Sequence, residues 1–146
     1  MIHRILIVCV GNICRSPMAE VVLRHHLGGE DSPILVESAG LAALVGNPID
    51  PLAERVLVDH GLTAQGHSAR QVTEAMISQS DLVLAMQRRH IGAIHAIAPQ
   101  ARGKTFLLGK WEGDDEVPDP YGKTMPVFEE AYRRIDRMLY AWRMHL

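Results

Sequence analysis

The chain has 146 residues, 47% of them apolar and 22% charged, with a formal net charge of −2. That length suits one domain, and the balance excludes a disordered segment. The near-neutral charge and the lack of any basic run exclude a general nucleic-acid binder. The longest apolar runs, such as residues 6–10 and 82–86, fall far short of the ~20 residues that a membrane span needs. Strand-like sequence begins at Arg4, leaving no room for a secretion signal. A cytoplasmic location is therefore expected, in which Cys9 and Cys14, the only cysteines, stay reduced.

Residues 4–10, RILIVCV, are β-branched and continuously apolar, which predicts a buried strand of a parallel sheet. Ser16-Pro17 predicts a helix start, with Ser16 as N-cap and Pro17 at the first helical position. Val22, Leu23 and Leu27 follow at helical spacing, and Gly28-Gly29 ends the element. Residues 34–38 predict a second strand, completing a strand–loop–helix–strand unit of the usual ~30 residues. Asp50-Pro51 opens another helix, with Leu52, Val56 and Leu57 on one face and Gly61 at its end. Residues 82–85 predict a third buried strand, and 88–98 a helix with Ile91, Ile94 and Ala98 on one face. Pro99 and Gly103 bracket the turn before a fourth strand at 105–108. A polar loop over 109–125 leads to a last helix near 126–144, whose apolar stripe is Phe128, Ala131, Ile135, Met138 and Trp142. Alternating strands and helices predict an α/β fold, a three-layer α/β/α sandwich around a four-stranded parallel sheet, with residues 1–146 forming a single domain.

In open α/β sheets, ligands bind beyond the carboxyl ends of the strands. Residues 9–16, CVGNICRS, occupy that position after the first strand. A tight loop there turns backbone N–H groups inward, and the following helix adds its positive dipole end, so an anion is the natural guest. Gly11 permits close backbone approach, and Asn12 tolerates a left-handed conformation. The planar fork of Arg15 suits two oxygens of a phosphate. A cysteine in such positive surroundings suggests nucleophilic attack on phosphorus, with the Ser16 hydroxyl donating to the Cys9 sulfur. The alternative for Cys9 is an inert, buried small hydrophobe at a strand end. Neither G-x-x-x-x-G-K-[ST] nor G-x-G-x-x-G occurs, so this is not a nucleotide or dinucleotide loop.

Breaking an ester P–O bond also needs a proton donor for the leaving oxygen. Asp114, Asp115, Glu116 and Asp119 are the candidates in EGDDEVPDPYGK, residues 112–123. Asp119 is favoured, because Pro118 and Pro120 stiffen its backbone and Tyr121 could wall a ring-shaped substrate. Asp114 and Asp115 read as a solvated charge run. The plain alternative for Asp119 is a turn residue before proline.

With CVGNICRS at 9–16, ESAG at 37–40, GHSARQ at 66–71 and DPY at 119–121, the chain resembles the low-molecular-weight protein tyrosine phosphatases along essentially its whole length. The LAALVG segment at 41–46 and the tail resemble the bacterial branch, whose members act with tyrosine kinases in capsule and exopolysaccharide export. The resemblance implies that Cys9 attacks phosphorus to give a phosphocysteine. Arg15 and the loop of Val10, Gly11, Asn12, Ile13, Cys14 and Ser16 would hold the phosphate oxygens. Asp119 would serve as general acid and then base, and Ser16 would stabilise the Cys9 thiolate. Asn12 would be held by Ser38 and His67, while Leu41, Leu44 and Tyr121 would line the pocket mouth. Cys14 would either protect Cys9 through a reversible disulfide or pack beneath the loop.

No cofactor and no metal are expected, and no nucleic acid and no membrane insertion. A monomer is expected, and the resemblance implies that its partner is a tyrosine autokinase with a phosphorylated tail. Two departures limit it: residues 41–46 hold no aromatic side chain, and Tyr121 is followed by Gly122 rather than a second tyrosine. Substrate preference is therefore not inherited from eukaryotic relatives. The eight histidines show no H-E-x-x-H and no cysteine–histidine zinc spacing, and His67 alone is read as functional, as a scaffold member. One rival is a thiol-linked arsenate reductase of the same fold, which needs further cysteines that are absent after Cys14. Another is a non-catalytic phosphotyrosine- or anion-binding module, which needs neither Cys9 nor Asp119.

Overall fold

A computed structural model of the chain describes residues 1–64 and 66–146. The first apolar run becomes a central strand, β1 (Arg4–Cys9), between β2 (Leu35–Gly40) and β3 (Leu82–Ala85), with β4 (Thr105–Leu107) outermost. The sheet order is β2-β1-β3-β4 and every pairing is parallel; Ile7 sits opposite Ser38 on one side and Leu84 on the other.

Successive side chains of a strand point to opposite faces, so β1 feeds two cores. Ile5 and Ile7 pack with Met18 of α1 (Arg15–His26), Leu57 of α2 (Pro51–Asp59) and Phe128 and Ile135 of α5 (Met125–Arg143). Leu6 and Val8 pack on the other face with Ile77 of α3 (Glu74–Gln79) and Ile94 of α4 (Arg88–Ile97). These side chains are all but fully buried, and each contributes roughly 1.5–3 kcal/mol of apolar burial. The predicted three-layer sandwich is thus the observed one. Among the described residues, no helix is long and apolar enough to cross a membrane.

From β1 the chain turns to one side for β2, then crosses to the other side for β3. The carboxyl ends of β1 and β3 therefore flank a switch point, the crevice where such sheets take ligands. The loop after Cys9 lies at that point.

The structure corrects the sequence reading in three places. Helix α1 begins at Arg15 with Cys14 as N-cap, so Ser16 is inside the helix and its hydroxyl is free for another task. Strand β2 runs on to Gly40, because Ala39 and Gly40 pair with Val8 and Cys9. Helix α3 went unpredicted: it is six residues long, buries only Ile77, and starts where the Thr73 hydroxyl accepts from the Met76 N–H (3.2 Å).

Candidate active site

The loop after β1 owes its shape to where its carbonyls point. Cys9 O accepts from the Leu41 N–H (2.9 Å), Val10 O from Ala42 (3.0 Å) and Gly11 O from Leu44 (3.1 Å). Asn12 O is met by His67 Nε2 at 2.7 Å, and Ile13 O accepts from the Asp50 N–H at 2.8 Å. A carbonyl can only accept, so His67 carries its proton on Nε2. Every carbonyl from Cys9 to Ile13 is thereby engaged behind the loop, which leaves the peptide N–H groups facing the opposite side. With the first turn of α1 they form a concave set of donors suited to an anion.

Asn12 makes this turn possible. It adopts φ +59°, the left-handed conformation expected for it, and its side chain is wholly buried. Its amide donates to Ser38 Oγ (3.0 Å) and Ser16 Oγ (2.7 Å), while its Oδ1 accepts from the Arg70 N–H (3.0 Å). Because Ser16 Oγ already accepts from Asn12, its own proton is available to the Cys9 sulfur 2.9 Å away. Ser38 and His67 thus both meet Asn12, and Ser16 lies against the sulfur.

Arg15 is 1% exposed, a cost that buried charge repays only with partners. One guanidinium nitrogen donates to Gln87 Oε1 and to Val117 O, both at 2.8 Å. The other faces Asp119 Oδ2 at 3.8 Å. Neither Gln87 nor Val117 was singled out from the sequence; they lie 72 and 102 residues from Arg15, and no local pattern links them.

A cavity of about 200 Å³ opens above the loop, lined by Cys9, Arg15, Ala42, Leu44, Asp119 and Tyr121 together with loop residues. Among the four acid candidates only Asp119 lines it. Asp114 and Asp115 are exposed; Asp115 pairs with Arg134 at 2.9 Å and Glu116 with Arg88 at 3.9 Å. Asp119 is also a turn residue, its Oδ1 accepting from the Tyr121 N–H (3.0 Å), and that bond aims the other oxygen toward the cavity. Leu44 and Tyr121 lie on its rim. Leu41 packs against the Leu6–Val8 core, and its neighbour Ala42 lines the cavity. A Cβ on Gly11 would meet Ile13 and Leu44 at ordinary distances of 3.7 and 4.0 Å. The crowded glycine beside the loop is Gly40, where an added Cβ would run into Val10 O.

Burial first, then Asp50, Asp119 and Cys9, push the Cys14 thiol far above its ordinary range, against the opposing pull of Arg15. Cys14 is thus a neutral thiol beneath the cavity. His90, in the first turn of α4, is 2% exposed, and neither ring nitrogen has a hydrogen-bond partner among the described residues. Burial, helped by Arg15 and Arg89, pushes its pKa down to about 4, so the ring beside the site is neutral.

Residues 4–146 match the profile of the family described as "Low molecular weight phosphotyrosine protein phosphatase". The chain is 44% identical over 144 residues to the low molecular weight protein-tyrosine-phosphatase Etp of Escherichia coli K12, covering 99% of this chain and 95% of that one. It is 45% identical over 143 residues to Wzb of the same strain, covering 97% and 94%. The structure of Vibrio vulnificus Wzb in complex with benzylphosphonate superposes with a TM-score of 0.95 at 42% identity, covering all of both chains.

Proposed function

Since the chain belongs to the low molecular weight phosphotyrosine protein phosphatase family, we propose that it hydrolyses phosphotyrosine in proteins through a phosphocysteine at Cys9. The observation that carries this reading is the outward engagement of every carbonyl from Cys9 to Ile13 around a sulfur held by Ser16. That arrangement suits a tetrahedral anion poised over a nucleophile. Benzylphosphonate, the ligand of the Vibrio relative, has the ring and the phosphorus-bound oxygens of an aryl phosphate, which agrees with a ring-shaped leaving group here.

The chemistry then follows in two displacements. The Cys9 thiolate forms an S–P bond as the P–O bond to the phenol breaks, and Asp119 gives its proton to the departing oxygen. The loop N–H groups and Arg15 hold the three equatorial oxygens, where charge accumulates in the transition state. In the second step Asp119, now a carboxylate, takes a proton from water as its oxygen bonds to phosphorus and the S–P bond breaks. Ser16 donates to the thiolate as it re-forms. Phosphotyrosine and water give tyrosine and inorganic phosphate, and the enzyme returns to its starting state. Arg15 depends on Gln87 and Val117 O for its direction, since a free guanidinium would swing out of line.

The substrate we propose is the phosphorylated tail of a bacterial tyrosine autokinase that controls capsule or exopolysaccharide production, met in the cytoplasm by a monomeric enzyme. The likeness to the Wzb and Etp branch supports this. Arsenate reduction finds no support: the chain has two cysteines in all, and both belong to one loop. The test is phosphate release from a phosphotyrosine peptide, in chelator, by wild type and Cys9→Ser side by side. Release by the wild type alone is the expected result. No release from folded, reduced wild type overturns the reading and favours an anion-binding module.

A further inference from the structure

The GHSARQ motif contributes His67 and Arg70 to the loop, but its last residue has a separate role. Gln71 is solvent-exposed, and an exposed glutamine ordinarily has no fixed geometry. Here both ends of its amide are engaged with one short segment: Nε2 donates to Leu41 O (2.7 Å) and Oε1 accepts from the Ala43 N–H (2.9 Å). Gly40 and Gln71 also form an isolated parallel bridge, with Gly40 N–H donating to Arg70 O and Val72 N–H to Gly40 O, both at 2.9 Å. The side chain therefore stands on a fixed base.

Residues 41–44 are the segment whose N–H groups turn the loop carbonyls outward. Leu41, Ala42 and Leu44 serve Cys9, Val10 and Gly11; Ala43 N–H, between them, is taken by Gln71. Every N–H of the segment is thus assigned, three to the loop and one to the glutamine. We propose that Gln71 is a positioning residue of the reaction: it holds residues 41–44 in register so that they keep the loop's N–H groups aimed at the phosphate. The proposal rests on the phosphatase reading for its chemistry. Its geometry concerns anion binding alone.

The segment does two jobs, and they separate experimentally. Its side chains, Ala42 and Leu44, face the cavity, so they touch the organic part of a substrate. Its backbone holds the cradle, so it governs any phosphate. Affinity for inorganic phosphate, by calorimetry, and kcat and KM for an aryl phosphate would be measured for wild type, Gln71→Ala, Gln71→Glu and Leu44→Ala. Gln71→Ala loses two hydrogen bonds and is expected to bind phosphate about tenfold more weakly, with kcat/KM falling at least as far. Gln71→Glu keeps the acceptor for Ala43 but sets a carboxylate oxygen against Leu41 O, and is expected to lose at least about threefold. Leu44→Ala is expected to raise KM for the aryl substrate while leaving phosphate affinity unchanged.

Wild-type phosphate affinity in Gln71→Ala overturns the proposal, as does a Gln71→Ala profile that matches Leu44→Ala. Should Gln71→Ala not fold, wild-type phosphate affinity in Gln71→Glu overturns it equally. A wild type that binds phosphate but turns over no substrate would overturn the phosphatase reading, while the affinity comparison would still decide the role of Gln71.

Discussion

At the scale of single residues, the proposed chemistry turns on Arg15 and Asp119. Their 3.8 Å separation exceeds a hydrogen bond, and the Asp119 side chain is 47% exposed, so the carboxyl is not locked to the guanidinium. It is free to serve a leaving oxygen. Asp119→Asn keeps the shape and removes the proton, and kcat on phosphotyrosine is expected to fall by about 10²–10⁴. An aryl phosphate whose phenol is strongly acidic leaves without help, so its loss should be far smaller. Equal losses on both substrates would defeat the general-acid role. Cys9, Asn12, Arg15, Ser16 and Asp119 of the candidate site stand out in the sequence because a dense local motif and a proline-flanked acid carry them. Gln87 was not, because it meets Arg15 only through the fold, and Val117 acts through a carbonyl that any residue could supply. Which of Leu41 and Ala42 lines the cavity is set by the turn that follows β2, and no local pattern shows it.

At the scale of elements, the site is a contract between the end of β2 and the loop after β1. Gly40 closes β2, and a Cβ there would collide with Val10 O and press to 3.1 Å on both Asn12 and Ala43. Those are the carbonyl that accepts from Ala42, the left-handed residue of the loop, and the residue held by Gln71. Gly40→Ala is therefore expected to weaken phosphate binding by at least about tenfold, the loss of one or two well-made hydrogen bonds, while the far-ultraviolet circular dichroism stays that of the wild type. Undiminished affinity would show that the cradle tolerates the displacement. The strands were readable from sequence where burial on both faces makes them continuously apolar, as in β1 and β3. Helix α3 was not, because six residues with a single buried side chain carry no period to detect. The true extent of β2 was likewise hidden, since Ala39 and Gly40, which continue it, have little strand propensity.

At the scale of the whole molecule, the sheet order brings α4 beside the loop and the acid, and His90 records the electrostatic result. Burial is the largest influence and Arg15 and Arg89 add to it by repelling a proton on the ring; together they prevail over Glu116 and Asp119, holding the pKa at about 4 against 6.5 for a free histidine. The unfolded chain takes up a proton as pH falls below that ordinary value, whereas the folded chain refuses it until about 4. The stability tied to a neutral His90 is thus complete above pH 6.5 and is lost progressively down to about 4, by up to roughly 3 kcal/mol. His90→Asn removes the titration without breaking any hydrogen bond of the ring, since neither nitrogen has a partner among the described residues. The space it vacates costs the same at every pH and drops out of a pH difference. Urea unfolding at pH 7.5 and pH 4.5 should therefore show the wild type losing roughly 2–3 kcal/mol more than His90→Asn between the two conditions. Parallel losses would mean that the folded protein admits the proton after all, by opening the Arg15 neighbourhood to water, and that the site is looser in acid than its neutral-pH geometry requires.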